Sequence, residues 1–242
     1  MQLPVDVLVL PLNSALSIAK KATRTIPIVM ITQVDPVPAG LVDSLARPGG
    51  NITGIATLAR DLSGKRLELL AEVVPRLQRV AILRGAGETV SDIGFQEYAS
   101  AARVLKIQVQ SIELHGSKSD IESAFESAVK GRVNAVITIA NIPLFHNSRC
   151  ISDLAMKNRL PSLHEGRAWV EAGGLLSYSA NDLELFRRAA TYVDKIFKGA
   201  KPGELPVEQP TKFELAINLK TAKQIEVKIP PNVLARADRV IR

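Results

Sequence analysis

Three histidines and one cysteine are the residues of this 242-residue chain best suited to nucleophilic or metal chemistry, and they are scattered. His115, His146 and His164 fall in three separate segments, while Cys150 stands in a helical pattern where a packed, inert thiol is expected. There is no nucleophile–base pair, no multi-cysteine metal set, and no P-loop, H-E-x-x-H or G-x-S-x-G spacing, so neither catalytic residues nor a metal or cofactor is expected. The glycine-rich pieces at residues 84–87 and 173–174 lack the G-x-G-x-x-G spacing that cradles a pyrophosphate. What remains is a set of polar residues suited to holding a small molecule: Asn13, Ser14, Asp35, Arg84, Asn141, His164 and Tyr178. Asn13 and Ser14 can cap a helix or, with its free N–H groups, hold an anionic group. Asp35, before Pro36, can pair with a ligand amine or initiate a turn. Tyr178 can offer a stacking face or pack in a core.

The elements that must position these residues are legible. Residues 5–10, 26–31, 79–83 and 133–139 are short apolar runs rich in β-branched side chains, as parallel strands buried on both faces require. In open α/β sheets ligands bind beyond the carboxyl ends of the strands, where Asn13, Asp35, Arg84 and Asn141 fall, with His164 after a further strand. Leu67, Leu70 and Val74 form one helical stripe; Ile121, Phe125 and Ala128 form a second, after a Ser119…Glu122 capping box and before Gly131. A third helix starts near Asn181 or Asp182 and ends at Gly199, with Phe186, Ala189, Ala190, Val193, Ile196 and Phe197 expected to pack on a sheet. Residues 212–218 read as a strand and residues 230–241 as a closing helix with proline at its start.

Composition bounds the class. A hydrophobic share of 46% suits sizeable cores, and the net charge of +7 is spread along the chain with no basic run, which argues against a nucleic-acid partner. No run reaches the roughly 18 apolar residues of a membrane span, and residues 1–4 offer no export signal, so the chain as written reads as cytoplasmic and not membrane-inserted. Pro48, Gly49, Gly50 and Gly54 let residues 47–54 turn sharply, as a crossing between two lobes or as a tight loop inside one domain.

Several stretches together settle a resemblance. Residues 25–29, 35–37, 46–54 (ARPGGNITG), 172–178 (AGGLLSY), 209–222 (QPTKFELAINLKTA) and 230–238 (PPNVLARAD) closely resemble the ABC-transporter substrate-binding proteins related to tryptophan and tyrosine binders. The resemblance spans almost the whole chain. It implies an α/β, type I periplasmic-binding-protein fold: two lobes joined by three crossings, the first at residues 47–54, with parallel sheets flanked by helices. On that reading residues 1–54 and 175–242 form a first, incomplete lobe and residues 55–174 a second. It further implies a small carboxylate ligand, an amino acid or aromatic acid, held in the cleft; delivery to an ABC permease; a periplasmic setting; and no catalysis. Asn13, Ser14 and Asp35 would then line one wall and Arg84, Asn141 and His164 the other.

The chain also departs from the family pattern. Family members usually carry an export signal and two strand–helix units before the strand matching residues 5–10. Their Gly-Thr-Pro-like turn is Pro11-Leu12-Asn13-Ser14 here, and Leu83-Arg84-Gly85 stands where Asn-Pro commonly follows a strand. The strand at residues 5–10 is therefore expected at an apolar edge, giving a monomer prone to self-association there. A cytoplasmic ligand-sensing module and a non-functional truncated paralogue are the alternative readings. An enzyme such as a racemase ranks last, because two facing thiols are wanted and only Cys150 exists.

Overall fold

A computed structural model describes residues 4–11, 13–57, 60–87, 89–139 and 141–242. The chain divides into two compact units, unit 1 (Met1–Ala59 and Ala180–Lys212) and unit 2 (Arg60–Ser179 and Phe213–Arg242), so it passes between them three times.

Unit 1 is built on three parallel strands, β1 (Leu8–Leu10), β2 (Ile28–Thr32) and β3 (Ile52–Ala56), in that spatial order. Every residue of β2 and β3 is buried, as in parallel strands covered on both faces. Among the described residues β1 pairs only with β2; Val5 and Val9 are 44% and 40% exposed, in line with an edge position. α1 (Asn13–Ala22) follows β1. Leu16, Ile28, Met30, Leu41, Val42, Ile52, Ala56 and Val207 make the core. The free side of β3 is covered from far along the chain: Thr53 Oγ1 donates to the Leu205 carbonyl at 2.7 Å, Glu208 N to Gly54 O at 3.0 Å and Ala56 N to Glu208 O at 2.9 Å.

These bonds correct the sequence reading of residues 47–54. They are a loop and strand inside unit 1, fixed by the Ile28↔Ile52 to Thr32↔Ala56 register, and the chain leaves unit 1 only after Ala59.

Unit 2 follows as α2 (Arg60–Val73), β4 (Arg79–Gly85), α3 (Thr89–Val104), β5 (Gln108–Leu114), α4 (Lys118–Lys130), β6 (Ala135–Thr138), α5 (Ile142–His146), α6 (Ser148–Lys157), β7 (Ser162–His164), α7 (Arg167–Glu171) and β8 (Leu176–Ala180). The chain then enters unit 1 for α8 (Asp182–Phe197) and a 3-10 turn (Pro202–Glu204). It returns for β9 (Phe213–Asn218), α9 (Leu219–Gln224), α10 (Pro231–Leu234) and β10 (Arg239–Ile241). The sheet runs β10-β9-β8-β7-β6-β4-β5. Alternation along the strands separates two cores: Val80, Ile82, Ala135 and Ile137 face Leu67, Leu70, Tyr98 and Val233, whereas Ala81, Leu83 and Val136 face Ile121, Phe125, Ile151 and Trp169. No described helix is long and apolar enough to cross a membrane.

Three further expectations are corrected. β8, β9 and β10 belong to the sheet of unit 2, not to the first lobe, because Leu163↔Leu176 pairing and the Asn218 N to Leu175 O bond at 2.9 Å extend that sheet. The closing helix is only four residues long; Arg239–Ile241 instead pairs with β9, and the Asp238 carboxylate accepts from Leu215 N at 2.8 Å. The cap of α4 is Ser117, whose hydroxyl accepts from Asp120 N, rather than Ser119.

Candidate functional site

The carboxyl ends of β6, β7 and β8 are level in unit 2, because Ile137 pairs with Leu163 and His164 with Ser177. Leu163 and Leu176 point into one core, so His164 turns to the opposite face. There it stacks on Trp169 with ring centroids 4.8 Å apart and planes 5° from parallel, and Nδ1 lies 2.9 Å from the Thr138 hydroxyl. Gly174 makes room for the ring, since a Cβ there would stand 2.5 Å from His164 Cδ2. Nε2 has no hydrogen-bond partner among the described residues. Burial lowers the imidazole pKa from its ordinary value to about 3, so the ring is neutral at physiological pH.

A pH effect on stability follows. Below pH 6.5 the unfolded chain takes up a proton at this histidine that the folded chain does not, so acidification favours unfolding from pH 6.5 down towards 3. By pH 5 the loss from this group should reach about 2 kcal/mol. Urea unfolding followed by the fluorescence of the single tryptophan, Trp169, checks it: the loss between pH 7 and pH 5 should shrink by about that amount in His164→Gln.

The next residue, Glu165, serves the other face. Its carboxylate accepts from Arg66 of α2 at 2.5 Å and from the Tyr98 hydroxyl of α3 at 2.9 Å, and Arg66 Nε donates to the Tyr178 carbonyl of β8 at 2.8 Å. The ion pair is dry, with side chains 4% and 5% exposed. Burial opposes the Arg66 cation, but the Glu165 carboxylate, with Tyr98 and Glu97, outweighs it and holds the guanidinium above its usual pKa. Burial likewise pushes the Tyr98 phenol well up, with the Arg66 charge opposing, so it remains a neutral donor. This network ties α2, α3, the segment after β7 and β8 together at the carboxyl edge of the sheet.

The residues singled out from the sequence are placed unevenly. Arg84 is at the end of β4, but its nitrogens are occupied: Nε donates to Ser111 at 2.7 Å, and the other two pair with Asp92 and Glu113. Asn141 caps α5, accepting from Leu144 N at 2.8 Å. Tyr178 is half-buried, its ring tilted against Phe213 at 5.9 Å. His164 is fully buried. In unit 1, Asp35 initiates the turn after β2, its carboxylate accepting from Val37 N at 3.1 Å. α1 begins at Asn13, and the side chains of Asn13 and Ser14 lie outside the described residues. Arg66, Glu165 and Tyr98 were not legible as a group. Among the described residues no cluster of three or more His, Cys, Asp or Glu could hold a metal ion. A cavity of about 70 Å³ lined by Asn181, Arg188, Thr211 and Lys212 lies within unit 1, far below the ~300–1,000 Å³ of ordinary ligand sites.

Residues 5–241 match the family model described as ABC transporter substrate binding protein. The tyrosine-binding protein of Clostridioides difficile (strain R20291) is 27% identical over 211 residues, covering 87% of this chain and 60% of that protein. The chain thus spans about 60% of the length of that curated relative. Among solved structures, a conserved domain protein from Vibrio cholerae superposes with a TM-score of 0.88 at 27% identity, covering 97% of this chain and 78% of that one. A domain from Streptococcus pneumoniae in complex with L-Trp gives 0.86 at 25% identity, covering 98% and 79%. The α/β fold is that of the type I periplasmic binding proteins.

Proposed function

Because this chain belongs to the ABC transporter substrate-binding protein family, we propose that it binds an amino acid, preferentially an aromatic one, and presents it to an ABC permease. The observation that carries this reading is the family match over residues 5–241, supported by a relative of 25% identity that holds L-Trp. The family is one of binding proteins rather than enzymes, and we extend this to an absence of turnover. We place its work outside the cytoplasmic membrane, in the periplasm where the cell has one, as is typical of the family.

The chemistry of the ligand sets the demands: an α-carboxylate needs N–H donors, an ammonium needs oxygen acceptors, and an aromatic side chain needs an apolar face. In unit 2, Arg84, Asn141 and Tyr178 lie at or near the carboxyl edge of the sheet, where ligands of open α/β sheets bind. Asn13, Ser14 and Asp35 follow strands β1 and β2 of unit 1 in the same way. The buried Arg66–Glu165 pair holds the segment after β7 and supports Tyr178 through its carbonyl.

Calorimetric titration with L-tryptophan, L-tyrosine and non-aromatic amino acids tests the reading. Saturable binding of an aromatic amino acid is expected, weakened about tenfold in Tyr178→Ala, the ~1.4 kcal/mol scale of one aromatic contact. Ligand recovered after long incubation should be chemically unchanged. No binding of any amino acid at millimolar concentration, or conversion to a product, would count against it.

A further inference from the structure

Among the described residues, five that are not glycine have positive φ: Arg76 (58°), Lys106 (56°), Arg132 (52°), Arg159 (52°) and Glu226 (61°). Each stands where a helix of unit 2 has just ended, α2, α3, α4, α6 and α9 in turn. The four basic ones precede β4, β5, β6 and β7 by two or three residues. Those strands are parallel neighbours in the order β7-β6-β4-β5, so the four cations stand along the amino edge of one sheet, in a row about 15 Å long at ~4.8 Å per strand. Arg159 pairs with Glu226 at 3.1 Å, which brings the turn after α9 to the same edge. These charges are far apart in the sequence and form no basic run; the topology gathers them.

Glycine takes the left-handed conformation at a helix end without the clash that a Cβ brings, so local geometry does not favour a basic side chain at four such positions. Lys130 and Lys157 end α4 and α6 beside Arg132 and Arg159, and all six cations are exposed. Helix C-termini attract cations, but each supplies only about half a negative charge. Arg76, Lys106 and Arg132 make no ion pair among the described residues. Charges of one sign gathered on one edge call for water or an anionic partner. Aliphatic side chains stand among them: Val104, the last residue of α3, is 81% exposed, and Val129, next to Lys130, is 48% exposed. Cations interleaved with exposed aliphatic side chains suit the interface of an anionic bilayer, where the cations meet phosphate headgroups and the apolar groups reach the acyl boundary. These turns carry no aromatic side chain on which a nucleic-acid base could stack. We propose that the amino edge of unit 2 is a peripheral docking surface for anionic phospholipid headgroups. It requires no membrane-spanning helix, and it lies at the opposite edge of the sheet from Arg84 and Asn141, so it stands independently of the ligand reading.

Flotation of the whole chain with lipid vesicles tests this. Vesicles of phosphatidylglycerol and phosphatidylcholine in equal parts should carry the protein, pure phosphatidylcholine should not, and raising the salt from about 0.05 M to about 0.5 M should release it. The triple variant Arg76→Asn, Lys106→Asn, Arg132→Asn removes three charges, and asparagine tolerates positive φ, so a circular dichroism melt should show the fold kept. One cation near an anionic surface is worth about fivefold, so this variant should bind about a hundredfold more weakly. Val104→Ser should weaken binding a few-fold and leave the salt dependence unchanged. Lys195→Gln, Lys198→Gln and Lys201→Gln together make the same change of net charge in unit 1, and should stay within a few-fold of the parent. Absence of vesicle binding, equal binding to both vesicle types, or a loss in the unit 1 variant as large as in the edge variant overturns the proposal. Binding of duplex DNA in place of vesicles, lost in the edge variant, overturns it too and assigns the edge to nucleic acid.

Discussion

Replacing Arg66 by methionine should destabilise unit 2 by about 3–5 kcal/mol, the cost of breaking a buried ion pair by removing one partner. Methionine reproduces much of the length of the arginine stem, so the effect isolates the charge. Glu165 would be left 5% exposed, with the Tyr98 hydroxyl as its remaining partner from this network, and the Tyr178 carbonyl would lose its donor. The complementary double variant, Arg66→Met with Glu165→Leu, should recover most of the loss, since an apolar pair of similar volume often replaces a buried salt bridge at little net cost. Urea unfolding followed by Trp169 fluorescence reads unit 2 directly, because the single tryptophan lies in its core. An Arg66→Met midpoint shift worth less than about 1 kcal/mol would show the pair to be solvated rather than dry.

The second large effect belongs to unit 1. Gly54 sits inside β3 with φ at +135°, and a Cβ there would stand 2.2 Å from Met30 O and 2.7 Å from Met30 N. Both obstacles are backbone atoms of the register partner in β2, so no rotamer change can relieve them. Gly54→Ala therefore combines backbone strain of about 1–3 kcal/mol with overpacking of about the same size, and a loss of about 3–5 kcal/mol is expected. Hydrogen exchange of residues 28–32 should speed up markedly, while unit 2 peptides keep their protection. Gly50→Ala is the internal control: nothing lies within 4 Å of the added carbon, so its effect should stay below about 0.5 kcal/mol. Equal behaviour of the two variants would refute the close-approach argument.

The two glycines bear on what the sequence could reveal. Gly49, Gly50 and Gly54 read alike as turn formers, but Gly54 is required by a neighbouring strand, a contact no local pattern records. The central strands were legible because burial on both faces leaves an unbroken apolar run, and β2, β4 and β6 lie where those runs predicted. β1 covers only Leu8–Leu10 of the run at residues 5–10. In α8, periodicity revealed amphipathicity without saying which of two adjacent apolar faces the sheet would take; it takes Leu185, Ala189 and Tyr192. Residues 239–241 were too few to distinguish a strand from a helix end. Arg66 reads as one more charge in Lys65-Arg66-Leu67-Glu68, and its partner lies 99 positions away. Only the assembled sheet brings them together. His164 shows the converse limit: the sequence marks a polar residue at a strand end, and only the fold shows it buried and stacked on Trp169.

The covering of β3 bears on how the chain is made. Thr53 bonds to a carbonyl 152 residues further on, and Val207 completes the core around Ile28 and Ile52. A ribosome delivers the strands of unit 1 long before the segment that seals them, and the whole of α2 to α8 emerges in between. Nascent unit 1 must wait with an open parallel strand edge, the kind of surface that slow, non-local folding exposes to aggregation. Folding yield should consequently depend on translation speed and on chaperone holding of the early segment, more than the equilibrium stability of either unit suggests.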